Sequence, residues 1–127
     1  MAEKGCTDGV QRELAAGVDP NIADKYKTTA LLLAIKMGHS DVVHLLISSG
    51  ADVNQCGAWK FTPLMYAVIW HQPDLAKILL QNRADPRPQD VRGDTALSHA
   101  LGEKQPDLVR MIRAMLGKED FVGYEDE

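Results

Sequence analysis

The sequence has few aromatic residues and few cysteines, and it has no long apolar run. Its two cysteines, Cys6 and Cys56, are too few for a disulfide framework. We therefore expect reduced thiols in an intracellular protein of the cytoplasm, with the nucleus as the alternative. No apolar run approaches the roughly 20 residues of a membrane span, and the opening "MAEKGCTDG" lacks the apolar stretch of a secretory signal. We expect no membrane insertion.

Most of the chain also lacks an excess of either charge. The formal net charge is −4 over 127 residues, and residues 118–127 alone hold one lysine and five acids. The residues before them are therefore neutral overall. A neutral surface does not attract a phosphate backbone, which argues against nucleic acid as the main partner. Residues 118–127 are predicted to form an acidic, flexible tail.

A motif that recurs every 33 residues is the main feature that the sequence does have. The first marker occurs as "GVDPN" at Gly17, "GADVN" at Gly50 and, more weakly, "RADPR" at Arg83. The second marker occurs as "TALLLA" at Thr29, "TPLMYA" at Thr62 and "TALSHA" at Thr95. Two independent markers with one period and no slippage predict stacked copies of a single structural unit.

Each unit is predicted to be helix, turn, helix and then a projecting turn. Thr29 is suited to capping the first helix with its hydroxyl, and the apolar residues that follow have helical spacing. Gly38 is placed to end this helix, and Asp41 to open the second one. Gly50 then ends the second helix, because glycine accepts the left-handed conformation that closes many helices.

The segments "TALLLAIKMGHSDVVHLLISSGADVN" and "TPLMYAVIWHQPDLAKILLQNRADP" resemble ankyrin repeats. The resemblance implies an all-α solenoid of stacked helix-turn-helix units with β-hairpin-like turns. It implies one domain over residues 1–117, with an incomplete first unit at residues 1–21 and further units at 22–54, 55–87 and 88–117. One departure is Arg83, which replaces the turn glycine at a predicted cost of about 1 kcal/mol; we expect a non-standard turn there.

The resemblance also implies where a partner binds, because ankyrin repeats usually use their turn tips and the last turn of each first helix. Transferred to this chain, those positions form an apolar, aromatic patch of Tyr26, Met37, Trp59, Phe61, Ile69 and Trp70. Charged residues at its edge are Lys25, Lys36, Arg92 and Glu103. An aromatic centre with a polar rim is typical of protein interfaces. These ten residues are the predicted partner-binding site, and the six apolar ones are called the aromatic patch below.

An alternative to the binding patch is internal packing of the same rings. Trp59 could stack on Tyr26 or under Arg92 and so seal one turn against the next. Trp70 could pack on the second helix of its own unit. The sequence leaves both interpretations open.

Other candidate sites are weaker. Asp94, Ser98 and His99 contain the letters of a catalytic triad, but adjacent side chains on a helix diverge, so we predict no catalytic residue. We likewise predict no metal site and no cofactor. Asn54, eight residues after Leu46, matches the spacing at which related repeats are hydroxylated on asparagine; the alternative is a turn residue only.

The sequence therefore predicts a non-catalytic, monomeric module that binds another protein. Two alternatives stay open. One is a stoichiometric inhibitor of a partner enzyme such as a kinase, and the other is a structural spacer within a larger protein.

Overall fold

The protein is described by a computed structural model that covers Gly17 and residues 19–116. Within these residues six α-helices form three consecutive pairs. The pairs are α1 (Ala30–Met37) and α2 (Ser40–Ser48), α3 (Pro63–Ile69) and α4 (Pro73–Gln81), and α5 (Ala96–Gly102) and α6 (Pro106–Leu116). The described part of the chain contains no β-strand, only an isolated β-bridge between Ala23 and Thr29, so the predicted all-α class is confirmed. Most of the predicted first unit and the predicted acidic tail lie outside the described residues.

The first helix of every pair begins at a buried threonine. The hydroxyl oxygens of Thr29, Thr62 and Thr95 accept hydrogen bonds from backbone amides three residues later, at 3.1–3.2 Å. Each cap satisfies one amide that the first helical turn leaves without a partner. The second helices have no such side-chain cap in α2 and α4. They carry an acidic residue in the first turn instead, whose negative charge interacts favourably with the helix N-terminus. In α2 this residue is Asp41, the second residue of the helix.

The helices stack in a continuous row. α1 packs on α3 and α3 on α5, while α4 packs on α6. Each first helix has a buried alanine at the same repeat position, namely Ala34, Ala67 and Ala100, and this small side chain lets neighbouring helices approach. Leucine, isoleucine and valine side chains fill the space between the helices to form one core. The repeat units therefore stabilise one another rather than folding separately.

A short turn projects before each pair, and the three turns share one backbone hydrogen bond. We name residues 24–28, 57–61 and 90–94 the first, second and third tips. The amide of the first residue donates to the carbonyl of the last residue at 3.1 Å in the first tip, 2.9 Å in the second and 2.8 Å in the third. In the first and third tips the opening residue is an aspartate, whose Oδ1 also accepts from two amides of the tip. Gly57 opens the second tip and has no such side chain.

Left-handed backbone conformations also follow the 33-residue period. Positive φ angles recur in three sets, Gly17, Gly50 and Arg83; Lys27, Lys60 and Gly93; and Gly38, His71 and Lys104. The predicted departure of the turn at Arg83 is therefore wrong. Arg83 keeps φ 71°, and its amide bonds the Leu80 carbonyl just as the Gly50 amide bonds that of Ile47. The fold holds arginine in the conformation that glycine adopts more easily.

Asparagine side chains tie each unit to the next. Asn54 Oδ1 accepts from the amide of Asp85 at 2.7 Å, and its Nδ2 donates to the Arg83 carbonyl at 3.5 Å. Asn21 bonds the Gly50 carbonyl and the Asp52 amide in the same way one unit earlier. Asn54 thus has the structural role that is the alternative to hydroxylation. Hydroxylation stays a prediction, which mass spectrometry of protein from mammalian cells tests.

We expect Asn54→Ala to lower the free energy of unfolding by about 1 kcal/mol, because the Asp85 amide loses its acceptor. Urea unfolding followed by circular dichroism measures the change. Gln81→Ala, at an exposed position of α4, is the control and should change the free energy by less than about 0.5 kcal/mol. Equal effects of the two substitutions would mean that the asparagine link adds nothing to the stacking.

Candidate interaction surface at the tips and helix ends

Four residues of the aromatic patch are exposed. The exposed fractions are 65% for Tyr26, 57% for Met37, 67% for Trp59 and 45% for Trp70. All four lie on tips or at the ends of first helices, where the core does not use them. Large apolar side chains that remain accessible at equivalent places of successive units provide contact area for another molecule.

Lysine ammonium groups lie over two of these rings. Lys25 Nζ is 5.2 Å from the centre of the Tyr26 ring. Lys36 Nζ, at the end of α1, is 4.9 Å from the centre of the Trp70 ring at the end of α3. Cation–π contacts of this kind hold an exposed ring in place without covering both of its faces. Lys36 and Trp70 therefore join two adjacent units.

The other members of the predicted site have mixed roles. Phe61 and Ile69 are half-buried and pack against the core, so they serve the fold as well as the surface. The Phe61 ring meets those of Tyr66 and His99 edge to face, with centroids 6.3 Å and 5.9 Å apart. Glu103 Oε1 lies 3.1 Å from His71 Nε2 on the neighbouring unit. Arg92 is exposed on the third tip.

The backbone of Trp59 departs from the 33-residue period. Its φ of 63° and ψ of 13° are left-handed, and it is the one positive φ outside the three periodic sets. Tyr26 and Arg92, at the same repeat position, do not share it. A left-handed conformation is unfavourable for a bulky residue, and strain of this kind is concentrated at functional sites. The Trp59 carbonyl accepts from the Val91 amide at 3.0 Å, which ties the second tip to the third.

A groove of about 470 Å³ lies between the second and third tips. It is lined by Trp59 and Phe61 of the second tip, Asp90, Val91, Arg92 and Asp94 of the third, and His99 of α5. We call it the tip groove. Its walls combine two aromatic rings with four ionisable side chains. A protein side chain that has both an apolar stem and a polar end fits such a lining.

Asp90 organises the floor of the tip groove. Its carboxylate is 1% exposed, and its Oδ2 is 2.8 Å from His99 Nε2. Its Oδ1 accepts from the amides of Arg92 at 2.9 Å and Asp94 at 3.0 Å. Burial by itself raises the pKa of Asp90, but the hydrogen bond from His99 and those from the two amides outweigh it, and the pKa lies below its usual value. Because an ionised carboxylate only accepts, Nε2 of His99 carries the proton.

Ser98, His99 and Asp94 do not form the hydrogen-bond chain of a catalytic triad. Ser98 Oγ lies 3.2 Å from Thr95 Oγ1, and His99 is bonded to Asp90 instead. One oxygen each of Asp90 and Asp94 and a ring nitrogen of His99 lie within 4.8 Å of one another. The protonated Nε2 of His99 already faces Asp90, which opposes its use as a metal ligand there. These residues hold the third tip in place and present acidic groups beside aromatic rings.

Sequence reasoning grouped Asp94 and His99 only as letters of a catalytic triad, and it missed Asp90 as part of the same site. A signal was available, since Asp24 and Asp90 are two periods apart and open equivalent turns. The contact between Asp90 and His99 depends on how the tip folds back onto α5, and no local pattern in the sequence encodes that distance.

Both tryptophans should be accessible to a neutral quencher. In Trp70→Phe the reporter is Trp59, and in Trp59→Phe it is Trp70. We expect acrylamide to quench both fluorophores, and Trp59 more strongly, because it is 67% exposed and Trp70 is 45% exposed. Free N-acetyltryptophanamide gives the fully exposed limit. Shielding of Trp59 in the folded protein would support the internal-packing interpretation.

No helix among the described residues is long and apolar enough to cross a membrane. A family model described as ankyrin repeats (3 copies) matches residues 1–90. The helix pair α5 and α6 lies beyond the matched residues and repeats the same caps and tip. The search of curated proteins found no match.

Proposed function

The chain belongs to the ankyrin repeat family, and from this premise we propose that it binds another protein, without catalysis, through its tips and first-helix ends. Ankyrin repeats are generally protein–protein interaction modules. The proposed contact residues are the aromatic patch together with Lys25, Lys36, Arg92 and Glu103. The rigid stack presents them without rearrangement, which limits the entropy lost on binding.

The proposal rests mainly on the exposure and the backbone conformation of Trp59. The residue is 67% exposed, and its backbone adopts a conformation that neither neighbouring tip has at that position. The exposed part of the residue is not used by the hydrophobic core. Tryptophan is enriched among the residues that contribute most to protein–protein binding, so a binding role accounts for both the exposure and the strain.

The surroundings of the patch support a soluble protein partner. Lys25 and Lys36 sit over rings of the patch, so their charges lie at the proposed interface and assist orientation and association rate more than affinity. The exposed, unpaired thiol of Cys56 suits a reducing compartment, and we propose that the module acts inside the cell, in the cytoplasm or nucleus. We propose that it acts as a monomer.

Site-specific photo-cross-linking tests the proposal. Benzoylphenylalanine replaces Trp59 in one variant and Lys77, exposed on α4, in the control. We expect a discrete protein adduct from position 59 and none from position 77 in extracts of the source cells. The purified partner should then bind Trp59→Ala at least about tenfold more weakly than wild type, and Lys77→Ala equally well.

Adducts from position 77 only, or undiminished binding of the partner by Trp59→Ala, would contradict the proposed surface. If the partner is an enzyme, its activity with the module bound separates an adaptor from a stoichiometric inhibitor. An adaptor leaves that activity unchanged, whereas an inhibitor abolishes it in proportion to occupancy.

A further inference from the structure

We propose that the tip groove receives an arginine side chain of the partner, with the guanidinium between the Trp59 ring and the Asp94 carboxylate. The inference rests on the proposed protein-recognition function and specifies the chemistry of the partner. It is carried by two features of the groove, an aromatic ring that lacks a cation and a carboxylate that lacks a partner.

The Trp59 ring differs from the other exposed rings of the described chain. Tyr26 has Lys25 at 5.2 Å and Trp70 has Lys36 at 4.9 Å. Trp59, which is the most exposed of the three, has no cation or second ring in contact among the described residues. Tryptophan offers the strongest cation–π surface of the aromatic side chains, so the Trp59 ring is suited to a cation supplied by another molecule.

The floor of the groove supplies the matching negative charge. The Asp90 carboxylate is buried and satisfied by His99 and two amides. Asp94 is half-buried, and its carboxylate has no hydrogen-bond or ion-pair partner within the described residues. One of its oxygens lies within 4.8 Å of both the Asp90 and the His99 ligand atoms. A second carboxylate so close to Asp90 favours the approach of a cation.

Arginine fits both features at once. Its planar guanidinium stacks on an aromatic face while donating two parallel hydrogen bonds to a carboxylate. The apolar stem of the side chain can lie along Phe61 and Val91, which also line the groove. Arg92 lines the groove too, but it forms no ion pair with Asp94, so the carboxylate remains available.

The effect of Arg92→Ala on binding distinguishes an arginine from an acidic side chain in the groove. If the guest is an arginine, Arg92 repels it weakly, and Arg92→Ala leaves binding unchanged or strengthens it. If the guest is acidic, Arg92 attracts it, and the same substitution weakens binding. The two chemistries therefore predict opposite effects of one exposed side chain.

Peptide titration followed by NMR tests the inference on the ¹⁵N-labelled full chain. The probes are Ac-Gly-Leu-Arg-Leu-Gly-NH₂ and two versions with citrulline or glutamate at the centre; citrulline keeps the shape of arginine without its charge. We expect the arginine peptide to shift the Trp59 indole and Asp94 amide signals but not the Trp70 indole. The citrulline peptide should bind about tenfold more weakly.

Two substitutions test whether the Asp94 carboxylate binds the arginine. Asp94→Asn should weaken the arginine peptide about tenfold, and it should fold normally because no described group depends on the Asp94 carboxylate. Asp74→Asn, at an exposed acid in the first turn of α4, is the control and should have no effect. Equal binding of the arginine and citrulline peptides at Trp59 overturns the arginine assignment but leaves Trp59 as a recognition residue.

Tighter binding of the glutamate peptide, or weaker arginine binding in Arg92→Ala, also overturns the assignment. So does the absence of any shift with the arginine peptide. In each of these cases the broader proposal of protein recognition is decided separately, by the cross-linking at position 59.

Discussion

Replacement of Gly57 by alanine is expected to lower the free energy of unfolding by about 1–3 kcal/mol. A Cβ atom at this buried position would lie 2.7 Å from Leu32 Cδ1 and 3.1 Å from the Lys27 carbonyl oxygen. Leu32 is fully buried, so it cannot move away without disturbing the core, and the carbonyl belongs to the first tip. The φ of Gly57, −99°, is not left-handed, so the expected loss comes from the clash and not from a positive φ.

Gly102→Ala is the matched control for this prediction. A Cβ atom there meets nothing within 4 Å, at the last residue of α5, and the substitution should raise the free energy of unfolding by about 0.4–1 kcal/mol. Opposite signs of the two changes in urea unfolding are the expected result. A Gly57→Ala protein as stable as wild type would show that the second tip does not press against α1.

Asp90→Ala is expected to lower the free energy of unfolding by about 2–4 kcal/mol, because several groups lose a charged hydrogen-bond partner. The substitution removes the acceptor of the Arg92 and Asp94 amides and leaves the partly buried His99 without its partner. Groups that lose a charged hydrogen-bond partner are costly to leave unsatisfied. Asp94→Ala, which removes a carboxylate without a described partner, is the control and should change stability by less than about 0.5 kcal/mol.

The pH dependence gives the Asp90 prediction a second readout. The folded-state pKa of Asp90 lies below its usual value of 3.8, so the folded state favours the ionised form. Its stabilising contribution is therefore complete above the unfolded pKa and is lost as the pH falls through the folded pKa. Wild type should lose stability below about pH 4 more steeply than Asp90→Ala. Parallel pH profiles for the two proteins would mean that Asp90 is not held ionised by the fold.

The helices and their order could be predicted from the sequence because their determinants are local. Thr29 caps the helix that it precedes, and Gly38 ends it, whatever lies elsewhere in the chain. Because the pattern repeats every 33 residues, the prediction made for one unit applies to its neighbours as well. The prediction for Arg83 was wrong because the hydrogen bonds of the turn determine the backbone there more strongly than the preference of the residue does.

The chemistry of the tip groove could not be predicted in the same way. Trp59 was predicted to be a contact residue from its repeat position, but its left-handed backbone departs from the 33-residue period and could not be read from it. The bond between Asp90 and His99 joins a tip to a helix, and its distance depends on tertiary packing. Such contacts form only in the stacked structure, and no periodic pattern in the sequence indicates them.

The central claim is that Trp59 serves a partner rather than the fold, and the stability of Trp59→Gly tests it most directly. Glycine removes both the exposed ring and the cost of a left-handed backbone at a bulky residue. Urea unfolding should show a protein as stable as wild type or more stable by up to about 1 kcal/mol, with Trp59→Ala less stable than Trp59→Gly because alanine keeps the strain. A loss of about 1 kcal/mol or more in Trp59→Gly would contradict the account, because the ring would then be part of the packing that holds the units together.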